Sequence, residues 1–204
     1  MSSCIDHIVF DIGRVLIGYE PELAFMEVIP DPRERRWFLD NVCNHDWNVE
    51  QDRGRDWREA EALAIAQWPE HEASIRAFRA NWHKMIPGAI DDTVVILRRL
   101  VDDGHDVTML TNFAADTFEE AQRRFDFLNI ARGVTVSAHL QLLKPDRAIY
   151  DAHVASFGLV PEASLFIDDS EKNVEGARAA GWQAVHFTNA ETLKGDLERF
   201  GFDL

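Results

Sequence analysis

The chain has 204 residues, and 21 Lys plus Arg against 36 Asp plus Glu give a formal net charge of −15. That length suits one domain, or one core with a modest insertion, at roughly 100–200 residues per domain. The acid excess excludes the basic stripe of a nucleic-acid binder and the polybasic patch of a protein that docks on anionic lipid, and a hydrophobic content of 46% excludes disorder. Two cysteines, Cys4 and Cys43, are too few for a disulfide framework or a thiolate zinc site, and are expected to be reduced bystanders. No segment approaches the roughly 18 consecutive apolar residues of a membrane span. Met1 to Asp6 carries neither a basic stretch nor a long apolar one, so no signal peptide is expected. A soluble cytoplasmic protein is the expectation.

In chain order, Ile8-Val9-Phe10 is a short apolar, β-prone run that stops at Asp11-Ile12-Gly13. It predicts a buried strand feeding a loop. Residues 19–85 hold no convincing strand. Asp31-Pro32 is a helix start, with Asp able to cap and Pro allowed at the first helical position. Residues 55–68 and 72–85 carry helical spacing. Five of the six tryptophans (Trp37, Trp47, Trp57, Trp68 and Trp82) fall in this stretch. Such rings build the core of a small helical unit, and one or two could line a pocket.

From residue 91 onward strand-like and helix-like segments alternate. A helix over 91–102 is closed by Gly104. Val107 to Leu110 is a strand ending in Thr111-Asn112. A helix over 116–125 precedes a strand at 134–136, and a helix over 146–157 is closed by Gly158. Ser164 to Ile167 is a strand ending in Asp168-Asp169. A helix over 173–180 is closed by Gly181, and a strand follows at 184–187. This rhythm implies an α/β fold: a doubly wound, Rossmann-like parallel sheet with helices on both faces. The organisation read from it is a core of residues 1–18 and 86–204, with a small all-α helical cap, 19–85, inserted after the first strand. Gly18 and Pro87-Gly88 stand where the chain enters and leaves the insertion, and suit a hinge.

Three strand-like runs end in a reactive residue: Asp11, Thr111 and the pair Asp168-Asp169. Lys144-Pro145 stands in the loop before a helix. In open parallel sheets ligands bind outside the carboxyl ends of the strands, so these distant positions are expected to converge on one sheet edge. An Asp after a strand is often only a helix cap. Four such features in this order are hard to attribute to capping.

The segments Val9-Phe10-Asp11-Ile12-Gly13, Leu110-Thr111-Asn112, Lys144-Pro145 and Phe166-Ile167-Asp168-Asp169-Ser170 with Asn173 and Ala177 resemble the motifs of the haloacid dehalogenase superfamily. Within it the chain is similar to the subgroup with a small helical cap after the first strand, which includes sugar-1-phosphate phosphatases. The resemblance implies an Mg²⁺-dependent phosphatase acting on a small phosphorylated metabolite, working as a monomer or homodimer. It implies Asp11 as the carboxylate nucleophile, and Asp11, the Gly13 carbonyl, Asp168 and Asp169 as metal ligands, with Asp168 direct or through water. It implies Thr111, with main-chain N–H groups near Asn112, as donors to the phosphoryl oxygens. Lys144 would neutralise both the phosphate and the crowded carboxylates. Asn173 reads as a loop-fixing residue, and Arg14 as either a substrate contact or a solvent-facing charge.

One position departs from the pattern. Most phosphatases of this superfamily carry a second Asp two residues after the nucleophile, as general acid and base; here Gly13 stands there. The sugar-1-phosphate subgroup also tolerates Gly at this place. General acid–base help is worth about 10²–10⁴-fold, so a cap residue such as His45, Asp46 or Glu50 is a candidate substitute. Two rivals remain open. A 2-haloacid dehalogenase needs the nucleophile but no metal, and places small polar residues where Asp168 and Asp169 stand. A catalytically weak binding or regulatory protein on the same scaffold would explain the missing acid. A phosphonate-cleaving enzyme would need a Schiff-base lysine in the cap, where Lys84 is the one lysine.

Overall fold

The computed structural model describes residues 4–204. Five strands form one sheet: β1 (His7–Phe10), β2 (Asp106–Thr111), β3 (Val134–Val136), β4 (Ser164–Asp168) and β5 (Gln183–His186). Their order is β3-β2-β1-β4-β5, and every pairing is parallel. The fold is therefore the doubly wound α/β arrangement expected from the alternation of elements.

The strands are buried on both faces, and alternate side chains feed two cores. Ile8 and Phe10 of β1, Val107 and Met109 of β2 and Leu165 and Ile167 of β4 join one core. Its helical partners are α6 (Asp91–Asp102), α7 (Ala115–Arg124) and α11 (Ala190–Arg199). Val9, Leu110 and Phe166 point the other way, onto α9 (Arg147–Phe157) and α10 (Glu171–Ala179).

After β1 the chain leaves the sheet for five helices, α1 (Pro21–Phe25), α2 (Pro32–Asn41), α3 (His45–Asp52), α4 (Trp57–Gln67) and α5 (Glu72–Ala80). Asp31 caps α2, its carboxylate accepting from the Arg33 and Glu34 N–H groups. Asn44 caps α3 by accepting from the Trp47 N–H. Phe25, Phe38 and Phe78 are buried at its centre, with ring centroids 5.1–5.9 Å apart. The Gly18 N–H donates to the Gly88 carbonyl at 2.9 Å where the two connections pass each other. No helix among the described residues is long and apolar enough to cross a membrane.

Several elements differ from the sequence expectation. The helix expected over 72–85 ends at Ala80, because Asn81 leaves the helical region and a separate turn of 3₁₀ helix follows at Trp82–Met85. The polar stretch 44–54 is largely the helix α3, and the short α1, α8 (Ser137–Leu140) and the C-terminal α11 were not read from the pattern. The helix expected at 173–180 begins two residues earlier, at Glu171. With five and four residues, α1 and α8 offer too few turns for periodicity to register, and α11 buries only Leu193 and Leu197.

Candidate active site

The switch in winding direction falls at β1, which has β2 on one side and β4 on the other. Phe10 pairs with Met109 and with Ile167, so Asp11, Thr111 and Asp168 leave the sheet at one edge. The Asp11 N–H still donates to the Ile167 carbonyl at 2.9 Å, and its Oδ1 accepts from the Ile12 N–H at 2.7 Å.

Lys144 lies between two of these carboxylates. Its Nζ is 2.8 Å from Asp11 Oδ1 and 2.7 Å from Asp168 Oδ2, and it also donates to the Leu110 carbonyl at 3.1 Å. Lys144 is 4% exposed, Asp11 6% and Asp168 0%. Burial pushes Asp11 up to about 7, against the pull of Lys144 and with Asp168 and Asp169 adding to the rise. Burial alone would lower the Lys144 ammonium; the two flanking carboxylates overcome it and raise it above the usual lysine range. Asp169 is half-buried and also raised, first by burial and then by Asp168. Oxygens of Asp11, Asp168 and Asp169 all come within 4.8 Å of one another.

Asp168 is already fully engaged. Its Oδ1 accepts from the Ser170 N–H at 2.8 Å and from Asn173 Nδ2 at 3.0 Å; its Oδ2 accepts from Lys144 and, at 3.1 Å, from Asn173 Nδ2. Asn173 thus holds Asp168. Asn112 likewise holds the Lys144 main chain with its side-chain amide. Gly176 brings α10 against this loop, since a Cβ there would stand 2.7 Å from the Pro145 carbonyl oxygen.

A cleft of about 490 Å³ opens in front of Asp11, lined also by Gly13, Asn112, Lys144, Asp169 and Asn173. Thr111, 1% exposed, and Asp168 are not on its wall. Arg14, Arg53 and Lys172 line it too, and with Lys144 they stand among the carboxylates of Asp11, Asp52, Asp146 and Asp169. Arg14 holds a left-handed backbone, φ 57°, unusual for a side chain of its size. It lies near Asp169, whose carboxyl it helps hold down.

Of the three cap residues considered as proton donors, His45 reaches the cleft wall, Asp46 is exposed, and Glu50 pairs with Arg53 at 3.6 Å. The acid that faces the site is one that the sequence reading passed over. Asp52, the last residue of α3, lines the cleft together with Gly13. Burial pushes it up to about 7, with the Ala114 main-chain N–H opposing and Asp11 adding. Its own carbonyl accepts from the Ser137 hydroxyl, which ties α3 to α8 at this point. A signal was present: Asp52-Arg53-Gly54 ends a polar run at a helix stop, and Gly54 (φ 102°) sits against the Ala138 carbonyl where no Cβ fits.

Gly13 itself is not glycine for want of room: a Cβ there would meet nothing within 4 Å.

A relative by sequence is the sesquiterpene phosphatase astK of Aspergillus oryzae, 28% identical over 95 residues. That alignment covers 47% of this chain and 48% of the fungal protein, so the chain spans about half the length of the curated relative that it matches. Among solved structures, a HAD family enzyme from Bacteroides thetaiotaomicron is similar in fold, with a TM-score of 0.76, 19% identity, and 96% and 99% of the two chains covered. A structure of that enzyme in complex with magnesium and inorganic phosphate gives a TM-score of 0.71 at 20% identity, covering 91% of this chain and 95% of that one. The L-2-haloacid dehalogenase of Xanthobacter autotrophicus, with chloropropionic acid covalently bound, gives 0.69 at 16% identity, covering 98% and 85%. A family model for haloacid dehalogenase-like hydrolases matches residues 52–187, a span that takes in Thr111, Lys144 and Asp168-Asp169. That match covers well over half the sequence, and the chain belongs to the haloacid dehalogenase-like hydrolases.

Proposed function

We propose that the protein is an Mg²⁺-dependent phosphatase that hydrolyses a small phosphorylated metabolite through an aspartyl-phosphate on Asp11. The observation that carries this reading is the charge at the sheet edge. Three carboxylates crowd within 4.8 Å of one another around a single lysine. Ionised together they leave a net charge of two negatives, which a divalent cation neutralises and a halide-releasing enzyme has no use for. The all-oxygen donor set suits Mg²⁺. Asp11, Asp169 and the Gly13 carbonyl would hold it, with Asp168 reached through water because its own oxygens are engaged. Bound there, Mg²⁺ supplies charge neutralisation for the phosphoryl oxygens.

The protein's own groups supply the rest. Asp11 attacks phosphorus, and the bond from phosphorus to the leaving oxygen breaks. The leaving oxygen takes the proton of the Asp52 carboxyl, the role that the missing side chain at residue 13 would otherwise fill. Water then attacks the aspartyl-phosphate, gives a proton back to Asp52, and inorganic phosphate departs with Asp11 restored. Lys144 keeps Asp11 ionised and aimed. Thr111 lies off the cleft wall and the Phe113 N–H is taken by the Ser137 hydroxyl, so Asn112, which lines the cleft, is the residue whose main-chain N–H would serve the phosphoryl oxygens. Arg14 and Lys172 on the cleft wall offer an anionic substrate two further cations beside Lys144. The fungal phosphatase relative and the magnesium and phosphate complex of the Bacteroides neighbour support the reading.

The test is phosphate release from a panel of sugar, acyl and nucleotide phosphates, with Mg²⁺ and with EDTA. Mg²⁺-dependent release that vanishes in Asp11→Asn is expected. Chloride release from 2-chloro acids in EDTA would instead make the protein a dehalogenase, and no release of either kind would make it a binding protein.

A further inference from the structure

Beside the main cleft lies a second, smaller cavity of about 90 Å³. Gly13, Asn112, Asn48 and Asp52 line both, so the two communicate directly next to the proposed phosphate position. One side of it is different in kind. Ile17, Trp82, Ile86 and Phe113 line it and are 0%, 5%, 3% and 8% exposed. Trp57 completes the wall, its indole N–H already donating to Asp116 at 2.9 Å. The Trp82 and Phe113 rings meet edge to face at 5.8 Å, and Phe113 meets Phe118 in the same way at 5.7 Å. Two parts of the chain build this wall: Ile17, Trp57, Trp82 and Ile86 come from the segment between β1 and α6, and Phe113 follows β2.

We infer that this annex receives a short apolar limb of the leaving group, so that the substrate is the phosphate monoester of a small branched or unsaturated alcohol rather than of a polyol. The inference rests on the phosphatase reading above. Tyr19, Asn48, Asp52, Asn112 and Thr117 share the annex, but polyol hydroxyls pressed against Ile17, Trp82, Ile86 and Phe113 would lose water without a partner on that side, which is costly for each group. Size sets the limb: an apolar cavity of about 150 Å³ takes benzene, so about 90 Å³ fits a group of about four carbons. Burying each methylene favours association by about fourfold, so a filled annex is worth about 10²-fold in kcat/KM.

The matched pair for the test is 3-methylbutyl phosphate against glycerol phosphate, which have leaving groups of similar size, together with methyl, ethyl and octyl phosphates, all assayed with Mg²⁺. The expected result is a kcat/KM for 3-methylbutyl phosphate about 10²-fold above that for glycerol phosphate, rising from methyl to 3-methylbutyl and not beyond. Ile86→Phe, which fills the annex, brings that ratio back toward one, and Ile86→Ala moves the optimum to a longer chain. Comparable or better turnover of glycerol phosphate overturns the annex while leaving the phosphatase standing. Release from none of these esters, with release from the sugar, acyl or nucleotide phosphates, overturns the annex alone, and release from neither set overturns both.

Discussion

Asn112 grips Lys144 by both of its main-chain polar groups: the Lys144 N–H donates to Asn112 Oδ1 at 2.9 Å, and Asn112 Nδ2 donates to the Lys144 carbonyl at 3.0 Å. One side chain at the end of β2 therefore sets the register of the loop that carries the lysine. Asn112→Ala leaves an N–H and a C=O in a partly buried place without partners, at about 1–3 kcal/mol each. A shift of about 1 Å in a positioned group can cost about 10² in rate, so kcat is expected to fall by that order. Urea unfolding and steady-state kinetics read the two effects separately. A variant with full kcat would remove Asn112 from the site's support.

Lys144→Met takes the one cation from between Asp11 and Asp168. Removing one partner of a buried pair typically costs about 3–5 kcal/mol. The loss is expected in full near pH 8. It shrinks toward pH 5, because Asp11 is already raised to about 7 by burial and takes up a proton once the lysine is gone. Urea midpoints at the two pH values check this. An equal loss at both would mean that Asp11 does not carry the charge.

How much of this site could be read in advance depended on where each residue sits. Asp11, Thr111 and Asp168-Asp169 were legible because each ends an apolar run, and in a parallel sheet all such ends face one way. Asp52 was not legible, because it stands in a helix of eight residues with no apolar stripe, among five other acids and histidines between residues 40 and 56. Its importance comes from the cleft that it shares with Gly13, and that is a tertiary relationship. The same holds for Asn112 and Asn173: the polar residue after a strand was visible, but not that each amide is used up in holding a charged neighbour. Of the tryptophans, Trp57 and Trp82 line the annex while Trp37 is exposed and stacks edge-on with Trp68, a division that spacing does not encode.

Metal should act on stability as well as on rate. A ligand that binds only the folded state adds about 2.7 kcal/mol at one hundred times its dissociation constant. Carboxylate ligands must be deprotonated to bind, and Asp11 lies at about 7 without metal. The Mg²⁺-induced rise in Tm is therefore expected to be larger at pH 8 than at pH 5.5, and to disappear in Asp11→Ala. Scanning calorimetry with and without EDTA checks it; an equal rise in Asp11→Ala would place the metal elsewhere.

Asp52 gives a pH dependence with a definite sign. Its folded value, about 7, lies above the usual carboxylate value of 3.8, and burial is the main cause. A raised acid stabilises the fold fully below its unfolded value, and that stability is lost as pH rises through 7. Asp52→Asn should therefore be more stable than the parent protein at pH 8 and indistinguishable from it at pH 4. In catalysis the parent kcat/KM falls above pH 7 for alkyl esters, as the donor loses its proton. Asp52→Asn loses that limb and about 10²–10⁴ in rate. Nitrophenyl phosphate, whose leaving group needs no proton, should be spared most of this loss. Equal losses for alkyl and nitrophenyl esters would show that Asp52 is not the donor.

The space at Gly13 allows the complementary experiment. A Cβ there meets nothing within 4 Å, and the residue is not among the glycines with positive φ, so Gly13→Asp is expected to fold with little change in Tm. The new carboxyl would stand two residues after Asp11, opening onto the cleft that Asp52 lines. In the Asp52→Asn background it should restore part of the lost turnover of alkyl phosphates, because either acid can then serve the same leaving oxygen. In the parent background it should add little, since the proton is already supplied. If the double variant stays as slow as Asp52→Asn alone, while still folding and binding Mg²⁺, then the two positions do not share a function and the proton reaches the leaving group by another route.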